Sequence, residues 1–339
     1  MNIAITYNLE NKKHGFVSAD YDSPETIKSI KQSLQEKGYG VHLVEANENA
    51  YEKFKRLKSK KQIDLVFNYS LGIFGPCRQA HIPAMLEMLQ IPYTGCDAAT
   101  IALCQNKVHV KEILLNYGVK TANFQVFGKN DKVKLGGLKF PLIIKCLHED
   151  SSIGLEGNFV VSDLKDLKKG IKKINQEFKQ SALVEEYLDG REFTFGALGN
   201  LPDLFFLKPL EIMPSPKKNK KHWIWERNPK FVGSKVSEIK KYADKYSTFY
   251  VCPVINLSPE LENKMKEVIK KVYQVIGVQD FTRIDFRVVN NEPYLLEVNN
   301  CCHLARNGSL VYKAKASGLS YSQLINKITT SAIKRLNLK

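Results

Sequence analysis

Two short runs near the C-terminus, FTRIDFRVV from Phe281 and YLLEVNN from Tyr294, alternate apolar and polar residues and so read as strands. Side chains on a strand point alternately to its two faces, which puts Arg283 with Asp285, and Glu297 with Asn299, on one side each. Asn290-Asn291 between the runs reads as the turn of a hairpin. The folded pair sets two carboxylates, an amide and a guanidinium over a common spot, with Ile284, Phe286, Leu296 and Val298 facing the other way. Mg²⁺ prefers a few hard oxygen ligands and completes its shell with water and substrate phosphates, and arginine can hold a phosphoryl oxygen by two hydrogen bonds. A magnesium-nucleotide site is therefore one reading. A surface hairpin with solvated charges is the other.

The rest of the chain can build a body for such a site. At 339 residues and 43% hydrophobic it is long enough for two or three domains. No stretch approaches the roughly 20 apolar residues that span a bilayer, and the opening MNIAITYNLENKK lacks the order of a signal peptide, so the expected location is the cytoplasm. Seven scattered cysteines without a CxxC indicate neither a disulfide framework nor a structural zinc site. Cys301-Cys302-His303 offers too few ligands for a soft metal. The net charge of +16 raises nucleic acid as a partner, but the lysines are spread along amphipathic segments such as KKGIKKINQEFK, as on solvated helix faces. The sharpest basic run, Lys217 to Lys221 beside His222, Trp223 and Trp225, reads as a lysine-rich loop, with grip on a single strand as the alternative.

The first hundred residues alternate strand and helix. NIAITY, VHLV and DLVF read as strands; Ser23-Pro24 caps a helix with Ile27, Ile30 and Leu34 inward, and Ile82, Met85, Leu86 and Leu89 mark another. This is the rhythm of a parallel α/β sheet, whose ligands bind beyond the carboxyl ends of strands, where Tyr7, Asn8, Asn68 and Ser70 fall. Each of the four can equally cap a turn. A second unit begins at Leu103 with a helix carrying Lys107 and Lys111. There Lys145 emerges from the apolar Pro141–Ile144 and needs an anionic partner, for which a nucleotide phosphate would serve. The following DSSIG, with Ser151 and Ser152, can cradle phosphate oxygens or be an ordinary turn. In ALVEEYLDGREFTFGAL, Glu185, Glu186 and Glu192 bracket a hinge-like LDG, where carboxylates can accept from an adenine amino group and ribose hydroxyls. Ser258 opens a helix with Leu261, Met265, Val268, Ile269, Val272 and Ile276 inward, and a last helix runs from about Tyr321 to Leu336.

Taken in order, Lys107, Lys145-x5-Ser151-Ser152-x-Gly154, Glu185-Glu186-Tyr187-Leu188-x-Gly190-x-Glu192, Arg283-x-Asp285 and Glu297-x-Asn299 resemble the ATP-grasp superfamily, and within it the D-alanine:D-alanine ligases. The resemblance extends to IPYTG at 91–95, Cys252-Pro253 and GLSYSQLI. It implies an α/β ATP-grasp fold: an N-terminal Rossmann-like parallel-sheet domain over 1–100, and two α+β subdomains, 101–182 and 183–339, clamping the nucleotide. It also implies ATP with Mg²⁺, for which Mn²⁺ can substitute. Lys107, Lys145 and Ser151 would contact phosphates, with Ser152 beside the reacting groups. Glu185 and Glu186 with the Tyr187-Leu188 backbone would hold adenine, and Glu192 the ribose. Asp285, Glu297 and Asn299 would hold the metal, and Arg283 would stabilise acyl-phosphate oxygens. Lys245, with Tyr242 and Tyr246, would belong to a closing loop, or Lys241-Tyr242 in a shifted alignment. Ser309 and Leu310 would bind the carboxylate of the second amino acid, with Tyr7 and Arg78 nearby.

The departures concern the substrates. The family's glycine-rich first loop with its substrate-binding glutamate is here YNLENKKHGF, its HGxxGEDG segment is FNYSLGIFGPCRQAHIPAMLE, Asp150 stands where glycine is usual, and NCCHLARNG replaces the Pro-Gly turn after Asn299. The expected activity is an ATP-dependent carboxylate-amine ligase joining amino acids or similar small acids, in a homodimer as in many relatives. Ligation to a peptide or carrier protein docked on the 217–221 run, and a nucleotide-binding pseudoenzyme, are the alternatives.

Overall fold

The computed structural model describes residues 1–10, 21–149, 160–214, 230–232 and 248–338. In the N-terminal unit, β1 (Asn2–Tyr7) runs parallel between β2 (Gly40–Glu45) and β3 (Leu65–Tyr69), in the order β2-β1-β3. Helices α1 (Pro24–Gln35) and α2 (Ala50–Ser59) join these strands, α3 (His81–Met88) follows β3, and all three pack against them. Proline at the first turn of α1 loses no helical hydrogen bond, and Ile27, Ile30 and Leu34 are buried as expected; the Ser23 side chain, however, makes no capping bond. The carboxyl ends of β1 and β3 lie side by side.

The helix expected from Leu103 is two helices. Asn106 turns out of helical geometry and caps the second through its side chain, separating α4 (Ala98–Gln105) from α5 (Lys107–Asn116). A four-stranded antiparallel sheet follows, built from β4 (Phe124–Phe127), β5 (Leu142–Cys146), β6 (Val160–Val161) and β7 (Ala182–Glu186) in the order β4-β7-β5-β6. Ile144 and Val184 face α6 (Leu164–Glu177) and pack on Leu167, Ile171 and Ile174. Lys145, Leu183 and Glu185 therefore face the opposite way, toward the site. The apolar stripe of α6 is buried and its lysines lie outside it, which is the solvated-face reading of that basic run.

The large sheet contains β8 (Arg191–Leu198), β9 (Phe205–Phe206), β10 (Leu210–Pro214), β11 (Lys230–Val232), β12 (Thr248–Val251), β13 (Phe281–Val289) and β14 (Glu292–Asn299). Its order is β11-β12-β10-β8-β13-β14, with β9 beside β8. One face, with Phe193, Phe195, Ile284, Phe286 and Val298, packs against α4, α5 and α7 (Pro259–Ile276). On the other face lies α8 (Ser309–Ala316), close enough that a Cβ on Gly196 would come within 2.8 Å of Leu310 Cδ1. Finally α9 (Tyr321–Arg335), opened by a capping box of Ser320 and Gln323, packs on α1, and its Leu324, Ile325 and Ile328 share one core with β1, β3, Phe281 and Leu310. The first and last parts of the chain are thus one packed body.

Candidate functional site

The hairpin forms where the sequence places it. Asn290 and Asn291 both take positive φ, 50° and 61°, the conformation of a two-residue turn matched to strand twist, which asparagine tolerates well. The register pairs Arg283 with Asn299 and Asp285 with Glu297, so all four side chains share one face. Arg283 grips Asp285 through two hydrogen bonds of 3.1 and 3.0 Å, and Asn299 Nδ2 donates to the same carboxylate at 3.0 Å. One detail of the reading is corrected. A bulge between Asp285 and Phe286 brings Leu295, not Leu296, opposite Phe286, so Leu295 enters the core and Leu296 is half-buried. An extra residue on one strand shifts the alternation beyond it.

Beside the hairpin, along the edge strand β14, stands α5. The Lys107 ammonium lies 2.7 Å from Glu297 Oε1 and donates to the Glu149 carbonyl at 2.6 Å. One turn on, the buried Lys111 reaches three acceptors: Glu185 Oε1 at 2.8 Å, the Thr121 hydroxyl at 2.6 Å and the Leu295 carbonyl at 3.4 Å. Lys145 approaches the other oxygen of Glu185 at 2.5 Å. The anionic partner that Lys145 requires is therefore supplied by this chain. Glu185 is 1% exposed; burial raises its pKa, but the two ammoniums outweigh that and hold it at about 2. Lys111, on which sequence reasoning placed no role, ties the central sheet to β14. Its i+4 spacing from Lys107 on a helix that must face two sheets was the available signal.

The hinge from Tyr187 to Gly190 joins the two sheets. A Cβ on Gly190 would sit 2.1 Å from the Val288 carbonyl oxygen, so only glycine lets the hinge cross β13. Glu186 accepts hydrogen bonds from Asn123 Nδ2 at 2.8 Å and the Lys139 amide at 2.9 Å. Glu192 pairs with Arg287 at 2.6 Å, and the Arg287 guanidinium lies 5.4 Å from the Tyr187 ring centroid. Burial pushes the Glu192 carboxyl above its ordinary range, with Arg287 pulling the other way. Leu188 lies on the same hinge.

On the substrate side each residue has partners within the chain. Tyr7 ends β1 and packs on the cluster containing Leu304 and Leu310. Arg78, fully buried in a short 3₁₀ turn before α3, instead meets Glu149 at 3.1 Å, next to the phosphate-loop segment. Ser309 and Leu310 open α8. Asn8 is used as a turn cap, donating to the Ala46 carbonyl and accepting from the Leu71 and Gly72 amides. Ser70 donates to Asn68 at 2.8 Å. The loop before α8 is pinned to the N-terminal unit: the Leu304 amide donates to the Tyr69 hydroxyl at 2.8 Å, and His303 Nδ1 lies 3.5 Å from Asp22 Oδ1. All seven cysteines are free, and among the described residues no group of three His, Cys, Asp or Glu could hold a metal. Ser151, Ser152, Gly154, Asp150, Lys241, Tyr242, Lys245, Tyr246 and the 217–225 stretch lie outside the described residues.

The chain is similar to known ligases over most of its length. The family model described as "D-ala D-ala ligase C-terminus" matches residues 113–330. A D-alanine--D-alanine ligase of Carboxydothermus hydrogenoformans is 32% identical over 316 residues, covering 90% of this chain and 92% of the relative. Among solved structures, D-alanine--D-alanine ligase from Bacillus anthracis complexed with ATP superposes with a TM-score of 0.75 at 20% identity, over 99% of both chains. The VanG D-Ala:D-Ser ligase from Enterococcus faecalis does so with 0.74 at 19% identity, over 98% of this chain and 100% of its own.

Proposed function

Because this chain belongs to the D-alanine:D-alanine ligase family, matched over 113–330, and is thereby an ATP-dependent ligase, we propose that it joins two amino acids or similar small acids through an amide bond. The fold is that of ATP-grasp ligases. A substrate carboxylate attacks the γ-phosphorus of ATP, giving an acyl phosphate and ADP. The amine of the second substrate attacks the acyl carbon, phosphate leaves, and the amine proton is lost. No enzyme nucleophile enters, so catalysis is positioning and charge stabilisation.

Lys107 and Lys145 would meet phosphate oxygens, with Glu185 and Glu186 near the adenine amino group, the 187–188 backbone beside the base and Glu192 near the ribose. Arg283 would face the acyl oxygens, with Ser309 and Leu310 at the carboxylate of the second substrate. Ser151, Ser152 and Lys245 keep the phosphate-loop and closing-loop roles of the resemblance. The observation that carries the reading is the cross-strand pair Asp285 and Glu297. Like charges directly opposite on a sheet destabilise it unless a cation sits with them, and here Arg283 and Lys107 already approach the two carboxylates. With Asn299, this donor set of hard oxygens fits Mg²⁺, or Mn²⁺ in its place. When bound, the ion would neutralise charge on the triphosphate.

The departures of YNLENKKHGF, FNYSLGIFGPCRQAHIPAMLE and NCCHLARNG from the family's segments support substrates other than a D-alanine pair. A cytoplasmic homodimer completes the proposal. The test is ADP and phosphate release on adding single amino acids of both enantiomers, with mass spectrometry of the product. Release dependent on a particular amino acid supports the proposal; ATP binding without turnover across the panel refutes it.

A further inference from the structure

Four lysines and arginines on the site side are buried beside carboxylates: Lys107 with Glu297, Lys111 with Glu185, Arg78 with Glu149 and Arg287 with Glu192. Lys313 is different. It lies on α8, is 0% exposed, and its ammonium donates to the Thr194 hydroxyl at 2.7 Å. Among the described residues it makes no other hydrogen bond and no ion pair. Lys111, equally deep, has a carboxylate 2.8 Å away and two further acceptors. Lys313 satisfies one, and an isolated buried ammonium is costly.

The surroundings sharpen the point. Thr194 stands directly opposite Asp285 in the register of β8 and β13, so Lys313 sits on the face that carries Arg283 and Asp285. Asp285 is already engaged by Arg283 and Asn299. Burial, and then the Arg283 charge, lower the Lys313 pKa to about 7. Two cations thus share one occupied carboxylate. On a helix, residues four apart lie on one face and long side chains lean toward the N-terminus, so Lys313 shares a face with Ser309, at the N-terminal turn of α8.

Resting on the ligase reading above, we infer that Lys313 is a specificity-determining residue whose ammonium is the counter-ion for the carboxylate of the amine-donating substrate. An amine donor must then carry that carboxylate, and an amino acid is distinguished from its uncharged amide by this contact. When protonated, Lys313 adds its charge to the partial positive charge of the helix terminus, and the substrate carboxylate supplies both the missing acceptor and the anion that favours the protonated form.

The experiment compares amine donors as free acids and as C-terminal amides, in the full-length wild type and in Lys313→Met, by ADP release and by thermal denaturation. Methionine keeps the unbranched stem and removes the charge, so the melting temperature is expected to hold or rise. Wild type is expected to favour the acid, and Lys313→Met to lose roughly 10- to 100-fold in KM for the acid while its KM for the amide stays put, so that the preference collapses. If wild type uses the amide as well as the acid, the inference is wrong without recourse to any variant. A preference that survives in Lys313→Met overturns it too, as does a fall in kcat with the preference intact, which would put the ammonium on the phosphoryl side. If wild type turns over no donor in the presence of ATP, the ligase reading itself fails, an outcome distinct from the others.

Discussion

The ammonium of Lys107 on α5 lies 2.7 Å from a carboxylate oxygen of Glu297 on β14. This pairs a residue assigned to phosphate with a residue assigned to metal. The two roles are then separable by mutation. Lys107→Met is expected to raise KM for ATP roughly 10- to 100-fold with little change in the magnesium requirement, as befits loss of a charged hydrogen bond. Glu297→Gln is expected to raise the magnesium concentration for half-maximal rate at least about tenfold, by analogy with the sensitivity of metal affinity to ligand-sphere changes. Steady-state kinetics with ATP and Mg²⁺ varied independently checks both.

Asp285 holds Arg283 and Asn299 in place as well as facing the proposed ion. Asp285→Asn keeps the shape of the side chain and removes its charge. Turnover is expected to fall by roughly 10²- to 10³-fold or more, while the melting temperature moves by no more than about 4 °C. A variant with near wild-type turnover would remove Asp285 from the reaction.

Glu185 gives a pH signature. Its carboxyl is held at about 2 when folded, against about 4.3 for an unperturbed glutamate. A depressed acid stabilises the fold above the unfolded value and loses that contribution as pH falls through the folded one. Glu185→Gln leaves Lys111 buried without its carboxylate, at a cost of about 3–5 kcal/mol near neutrality. The gap in melting temperature between wild type and variant is expected to be wide at pH 7 and to shrink as pH drops from about 4.3 toward 2.

Tyr69 accepts from the Leu304 amide and so fixes the loop before α8. Tyr69→Phe leaves that buried N–H without an acceptor, a loss of about 1–3 kcal/mol. KM for an amino-acid substrate is expected to rise while KM for ATP holds, since Tyr69 lies on β3, away from α5 and the central sheet. Equal shifts in both would show a general loosening instead.

Much of this was legible in the sequence because it rests on period. The alternation of FTRIDFRVV, the Asn290-Asn291 turn, and the stripes of α1 and α7 all follow from side-chain direction alone. The bulge that exchanges Leu296 for Leu295 was not legible, because two adjacent leucines break the alternation without saying which of them faces the core. Nor was the partner of Lys145. A buried cation announces that it needs an anion but not whether protein or ligand provides it, and Glu185 lies 40 residues away in the chain. Lys313 was invisible for a further reason: a lysine in SLVYKAKA reads as solvated, and only the packing of α8 over Gly196 and Thr194 buries it. The substrate-facing loops differ from the family's in sequence, so spacing could locate them without saying what they touch.

The most direct measurement is a crystal structure of the protein with Mg²⁺ and a non-hydrolysable ATP analogue. The account expects a metal about 2.0–2.1 Å from oxygens of Asp285, Glu297 and Asn299 and bound to the triphosphate, with Lys107 moved from Glu297 to a phosphate oxygen. A triphosphate bound elsewhere, with Asp285 still held by Arg283 and Glu297 still on Lys107, would contradict it.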